Sequence, residues 1–179
     1  MSSTVRLLLS AHATDMEQVN ATALLEIDFQ PWVIELGHDS DAVPRAKRIR
    51  ERFRREGALV VCTRYLSRDA EDPMRSDPDG EGARFHPSME PQAGDLVVTK
   101  FDRDIWSNLD LDVQLRLRKI SGIVVTGFVT DFGVDLAART ALRLGYRVTV
   151  GAQGCAGTTA GAHHSALASM SKAGISIDE

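Results

Sequence analysis

Six short runs of β-forming residues recur along the chain, each separated from the next by residues at helical spacing. The runs are Ala23-Leu24-Leu25-Glu26-Ile27-Asp28, Ala58-Leu59-Val60-Val61-Cys62, Leu96-Val97-Val98-Thr99, Ile123-Val124-Val125-Thr126, and residues 148–150 and 175–177. Strands so continuously apolar are covered on both faces, which is the signature of parallel pairing. The helical stretches between them fit that reading. Ala42, Ala46, Ile49 and Phe53 share one face and stop at Gly57. Leu111, Leu115 and Leu117 follow the third strand, and Val134, Leu136, Ala137, Ala141 and Leu144 end at Gly145. A last helix over residues 162–173 closes at Gly174. The pattern predicts an α/β fold: a three-layer α/β/α sandwich on a six-stranded, mainly parallel, Rossmann-like sheet with right-handed crossovers.

A chain of 179 residues is the size of one domain, expected here over residues 22–179 with an N-terminal arm over 1–21. Twenty-one basic against twenty-five acidic residues leave a net charge of −4, which argues against a general nucleic-acid partner. No run approaches the ~18 apolar residues of a membrane span, so no membrane partner is expected. Two cysteines make no disulfide framework, and a cytoplasmic location is expected. Residues 64–94 hold four of the six prolines and no regular spacing. Such a segment is either a lid or oligomer contact, or a mobile surface insertion.

Ligands of open parallel sheets bind outside the carboxyl ends of the strands. Asp28 and Lys100 each end an apolar strand there. They are either a functional pair in one pocket or a structural ion pair. Residues 127–133 lead from the fourth strand into a helix N-terminus, with Gly133 allowing close backbone approach. Phe29, Trp32, Phe128 and Phe132 flank the same edge, as pocket lining or as core. Arg45, Lys47, Arg48, Arg50, Arg52, Arg54 and Arg55 crowd one helix and read as a solvated face. His163 and His164 are adjacent, point about 100° apart on a helix, and read as surface or packing residues. His86 lies in the long loop, within possible reach of the pocket.

Three segments carry a resemblance. Leu24-Leu25-Glu26-Ile27-Asp28-Phe29-Gln30, Gly94-Asp95-Leu96-Val97-Val98-Thr99-Lys100 and Ile123-Val124-Val125-Thr126-Gly127-Phe128-Val129-Thr130-Asp131-Phe132-Gly133-Val134 appear in order. They resemble the signatures of the isochorismatase-like cysteine hydrolases. Ala137-Ala138-Arg139-Thr140-Ala141 and Leu144-Gly145-Tyr146 extend the likeness, which spans about residues 22–177. The resemblance implies catalytic Asp28 and Lys100, and Gly133 where the family carries its nucleophilic cysteine. Cys62, inside a strand, and Cys155, placed after the fifth strand, do not replace it. True isochorismatases resemble this chain in that glycine. The resemblance therefore implies acid-catalysed cleavage of an enolpyruvyl ether without covalent chemistry. Gln30, Phe29, Trp32, Phe128, Val129 and Gly133 would bind a small-molecule substrate.

Val129 stands where that branch has tyrosine, and Trp32 departs from the family pattern after Pro31. The arginine that grips a substrate carboxylate is sought among Arg64, Arg68 and Arg84. The metal-binding branch has Asp-x-His after its second strand, where this chain has Thr63-Arg64-Tyr65-Leu66-Ser67, so no metal and no cofactor are expected. A cis peptide at Phe128–Val129 and a homo-oligomer, dimer or larger, are also implied. Two alternatives stay open: a family member that binds without turnover, and an amidohydrolase with an unrecognised nucleophile.

Overall fold

The computed structural model describes residues 21–179; the expected N-terminal arm, residue 21 apart, lies outside the described residues. The strands are β1 (Thr22–Ile27), β2 (Leu59–Tyr65), β3 (Leu96–Lys100), β4 (Gly122–Phe128), β5 (Arg147–Ala156) and β6 (Ser176–Asp178). They form one sheet in the order β3-β2-β1-β4-β5-β6, and every neighbouring pair is parallel. The sheet is thus wholly rather than mainly parallel. β1 sits inside it, with Leu25 level with both Val61 and Val125.

The helices are α1 (Pro31–Ile34), α2 (Ala42–Arg55), α3 (Pro73–Ser76), α4 (Leu109–Leu117), α5 (Asp135–Arg143) and α6 (Ala160–Lys172). Alternation along β1 divides the core. Ala23, Leu25 and Ile27 pack with Leu111 and Leu115 of α4, Ala137 and Ala141 of α5, and Leu167 and Met170 of α6. Leu24 faces the other way, onto Phe53 of α2, Val60 and Cys62. No helix among the described residues is long and apolar enough to cross a membrane.

Three features differ from expectation. β5 is ten residues long, because its register against β4 shifts between Val125 and Gly127 and pairing then resumes. Cys155 therefore lies inside β5, not beyond it. Residues 64–94 contain α3 and two short 3-10 turns, and are stitched to the domain. Ser67 N–H donates to Arg75 O at 2.8 Å, and His86 N–H donates to Phe29 O at 2.7 Å. The segment is built into the fold, not draped over it.

The third difference concerns α2. Its cations were expected to form a solvated face, but Arg50 is 2% exposed. Its Nε donates to both carboxylate oxygens of Glu26 at 2.9 Å, its Nη2 pairs with Glu26 Oε2, and Nη1 donates to Glu90 O at 3.1 Å. Burial pushes the Glu26 carboxyl up, against the pull of Arg50. Removing one partner of a buried pair strands the other charge, at a cost of about 3–5 kcal/mol. Arg50→Ala is expected to lose that much in urea unfolding. The double variant Glu26→Leu/Arg50→Met, which removes both charges, is expected to recover most of it.

Candidate active site

Asp28 directly follows β1 with φ at 51°, a left-handed conformation unusual outside glycine. Its backbone N–H donates to Thr63 Oγ1 at 3.2 Å, and Thr63 Oγ1 donates to Asp28 Oδ1 at 3.1 Å. The other carboxylate oxygen, Oδ2, lies 2.6 Å from Lys100 Nζ. Three adjacent strands thus supply one residue each: β1 leads to the acid, β2 carries the hydroxyl that orients it, and β3 ends in the cation. Both charged side chains are buried. Burial pushes the Asp28 carboxyl above its ordinary value, opposed by Lys100 and by Thr63. Lys100 Nζ also donates to Arg103 O at 3.2 Å. An ammonium has three donors, so one remains for the pocket.

The pocket over this pair has a volume of about 300 Å³. Trp32, Val33 and Leu36 form one wall, and Phe128, Val129, Phe132 and Gly133 form the other. Tyr65, Arg75 and Arg103 complete it beside Asp28 and Lys100. The second wall runs from Phe128, the last residue of β4, through Val129 into a single π-helical turn, Thr130–Val134. The Phe128–Val129 peptide is cis. Gly127 has φ at 134°, and a Cβ there would lie 2.1 Å from Ile27 O, so only glycine lets β4 approach β1 at the pocket floor.

The sequence-based set is placed unevenly. Asp28, Lys100, Trp32, Phe128, Val129 and Gly133 line the pocket. Phe29 and Gln30 do not. Phe29 is buried and meets Phe128 edge-on at 5.6 Å between ring centres. Gln30 spends its amide on the chain: Nε2 donates to Tyr65 O at 3.0 Å and Gly82 O at 2.6 Å, and Oε1 accepts from Tyr65 N–H at 2.7 Å. It holds the loop after β2 in place. None of Arg64, Arg68 and Arg84 lines the pocket; the guanidinium groups there are Arg75 and Arg103. Arg64 Nε instead donates to Thr99 Oγ1 at 3.0 Å, and Arg68 stacks on Phe101. Arg75 lies over the Trp32 ring at 5.4 Å and pairs with Asp72. Arg103 lies over Phe132 at 5.8 Å and makes no ion pair among the described residues. Among the described residues, no group of three or more His, Cys, Asp or Glu side chains is arranged to hold a metal ion.

The model of the isochorismatase domain matches residues 22–177. The chain belongs to the isochorismatase family. Family members are hydrolases. An uncharacterized isochorismatase family protein, YwoC, of Bacillus subtilis is 34% identical over 137 residues, covering 70% of this chain and 72% of that protein. The streptothricin hydrolase of Streptomyces noursei is 31% identical over 135 residues, covering 72% of this chain and 47% of its own length. Among solved structures, an isochorismatase family protein from Burkholderia thailandensis superposes with a TM-score of 0.80 at 27% identity, covering 89% of this chain and 91% of that one.

Gly133 lines the pocket beside Lys100. A Cβ there would lie 3.5 Å from Lys100 Nζ and 3.1 Å from Ile27 Cγ2. Neither native thiol lines the pocket, and both are buried. Burial pushes Cys155 up to about 12, and burial with the neighbouring Glu26 carboxylate pushes Cys62 higher still. A thiol at 133 would face the Lys100 ammonium, which favours thiolate. Under iodoacetamide at neutral pH, mass spectrometry is expected to find the native folded protein unmodified. Gly133→Cys is expected to take up one adduct.

Proposed function

We propose that the chain hydrolyses an enolpyruvyl ether of the isochorismate type by general acid catalysis. One observation carries the reading: a glycine stands beside the Asp28–Lys100 pair where a covalent mechanism needs a nucleophile. In a vinyl ether the demanding step is protonation of carbon, which needs an acid and no nucleophilic side chain. The Asp28 carboxyl delivers its proton to the terminal methylene carbon, and the π electrons form the new C–H bond. The resulting oxocarbenium ion is captured by water, whose lost proton restores Asp28. The hemiketal then collapses, breaking the C–O bond to release pyruvate and an alcohol. Lys100 orients Asp28 and holds a substrate carboxylate through its remaining donor.

The pocket's composition supports an anionic, partly apolar substrate. Lys100, Arg75 and Arg103 outnumber the single carboxylate of Asp28, among Trp32, Leu36, Phe128 and Phe132. Arg75 stands on α3 and Arg103 on the turn after β3, so each can meet a different polar end of the substrate. The relative named streptothricin hydrolase supports a second reading, in which the substrate is streptothricin-like. Pyruvate release from isochorismate, run beside loss of streptothricin, decides between them. Turnover of neither, with a thermal shift by isochorismate, would mean binding without chemistry.

Asp28→Asn keeps the side chain's shape and removes its transferable proton. It is expected to lower kcat for isochorismate by about 10²–10⁴-fold with KM little changed. Because the protonated carboxyl is the active form, kcat is expected to fall as pH rises through the Asp28 pKa, which burial holds above the ordinary 3.8. Wild-type kcat in Asp28→Asn would overturn the mechanism.

A further inference from the structure

We propose that His163 is a positioning residue for the pocket: as a neutral imidazole it joins the two pocket walls, and its protonation releases them and sets the acid limit of the enzyme. Three of the chain's five histidines meet on one side of the site. His163, near the start of α6, is only 9% exposed. Its Nδ1 is 2.8 Å from Thr130 Oγ1, a buried hydroxyl at the start of the turn that presents Val129, Phe132 and Gly133. Its ring lies 5.5 Å from that of His38. His38 follows the wall made by Trp32, Val33 and Leu36, and both its backbone N–H, at 2.8 Å, and its Nδ1–H, at 2.9 Å, donate to Gly157 O. One imidazole therefore touches the anchor of each wall.

A proton on His163 changes all of these contacts. It places a cation in a site nearly closed to water, against two further imidazoles, His38 and His164. It also fixes Nδ1 as a donor to Thr130. Of the other charged groups, Asp131 faces the ring from the turn and Asp39 from the segment before α2. Both carboxylates favour the proton but are outweighed by burial and the two imidazoles, and each already has partners of its own. Asp131 accepts from Thr158 N–H at 2.8 Å and Oγ1 at 2.6 Å, and Asp39 pairs with Arg45 at 2.5 Å. Burial first, then His38 and His164, lower the His163 pKa below 6.5. The folded state thus binds this proton less well than the unfolded chain does. Its contribution to stability is complete above the ordinary imidazole range and is lost as pH falls below it.

The proposal does not depend on which bond the enzyme cleaves, and its primary test uses the unliganded protein. Amide hydrogen exchange, expressed as protection factors, is measured at pH about 7.5 and about 5.5. In the wild type, protection over residues 129–134 is expected to fall about tenfold at the lower pH relative to β1. In His163→Asn, which retains a hydrogen-bonding group but cannot titrate, that pH response is expected to vanish. Should His163→Asn fail to fold, two further readouts decide. Imidazole NMR of the wild type must show His163 titrating over the range in which protection is lost. His38→Gln, a change at an exposed side chain, must raise the His163 midpoint. An unaltered pH response in His163→Asn, or a His163 midpoint unrelated to the loss of protection or unmoved by His38→Gln, overturns the proposal. If pyruvate release from isochorismate is observed, its low-pH limb must move with the same variants. Its absence would refute the ether chemistry and leave the exchange result standing.

Discussion

A carboxylate and an ammonium, 2.6 Å apart and closed off from bulk water, tie the end of β1 to the end of β3 over the hydroxyl of β2. Neither charge is tolerable there alone, since an unpaired buried ion costs several kcal/mol. The three strands must therefore end at the same level, and parallel pairing with Glu26 opposite Cys62 and Tyr65 opposite Lys100 makes them do so. The left-handed backbone at Asp28 belongs to the same arrangement. An extended residue there would continue the pleat, whereas the turn sends the chain into α1 and leaves the carboxylate against its partners. Order at the floor of the pocket thus follows from an electrostatic requirement met by sheet geometry.

The walls obey a different logic. Trp32 is fixed at its polar edge by a hydrogen bond to Gly82 O at 2.9 Å, on its face by Arg75, and against Tyr65 edge-on at 6.1 Å. Each of those partners comes from residues 64–94, so the long connection is the framework of one wall. Its own close packing shows in Gly82, where a Cβ would meet Met74 O at 2.0 Å. The opposite wall is the end of β4 and the turn after it, packed against α6. The floor is set by the sheet and the walls by connections, so substrate choice can vary without disturbing the buried pair.

The layered fold, Asp28, Lys100 and the 127–133 turn were legible because they rest on local patterns: apolar runs, and charges or glycines that end them. What escaped notice depends on where a connection folds back. Nothing in the spacing of Arg64, Arg68, Arg75, Arg84 and Arg103 distinguishes the two that reach the pocket. Gln30 has the composition and position of a ligand-binding residue, yet its amide is consumed by Tyr65 and Gly82, which lie far along the chain. Arg50 looked like its six cationic neighbours on α2 because its partner, Glu26, is on another element. An acid in the middle of the first apolar run was the available clue, since a buried glutamate requires a cation. His38 and His163 stand on different elements far apart in sequence, and no periodicity links them.

The strand order also governs how the molecule is made. β1 emerges from the ribosome first but pairs on one side with β4, residue for residue from Thr22 opposite Gly122. Until the fourth strand has been synthesised, that edge of β1 has no partner, and its apolar face against α4, α5 and α6 is uncovered. At roughly 5–20 residues per second, the nascent chain carries this unsatisfied edge for several seconds. Contacts so distant in sequence also close slowly. Asp28 and Lys100 can meet as soon as the first three strands assemble, but the turn that roofs them arrives only with the second half of the chain. A nascent chain stalled before that point would hold both charged groups and no enclosed site.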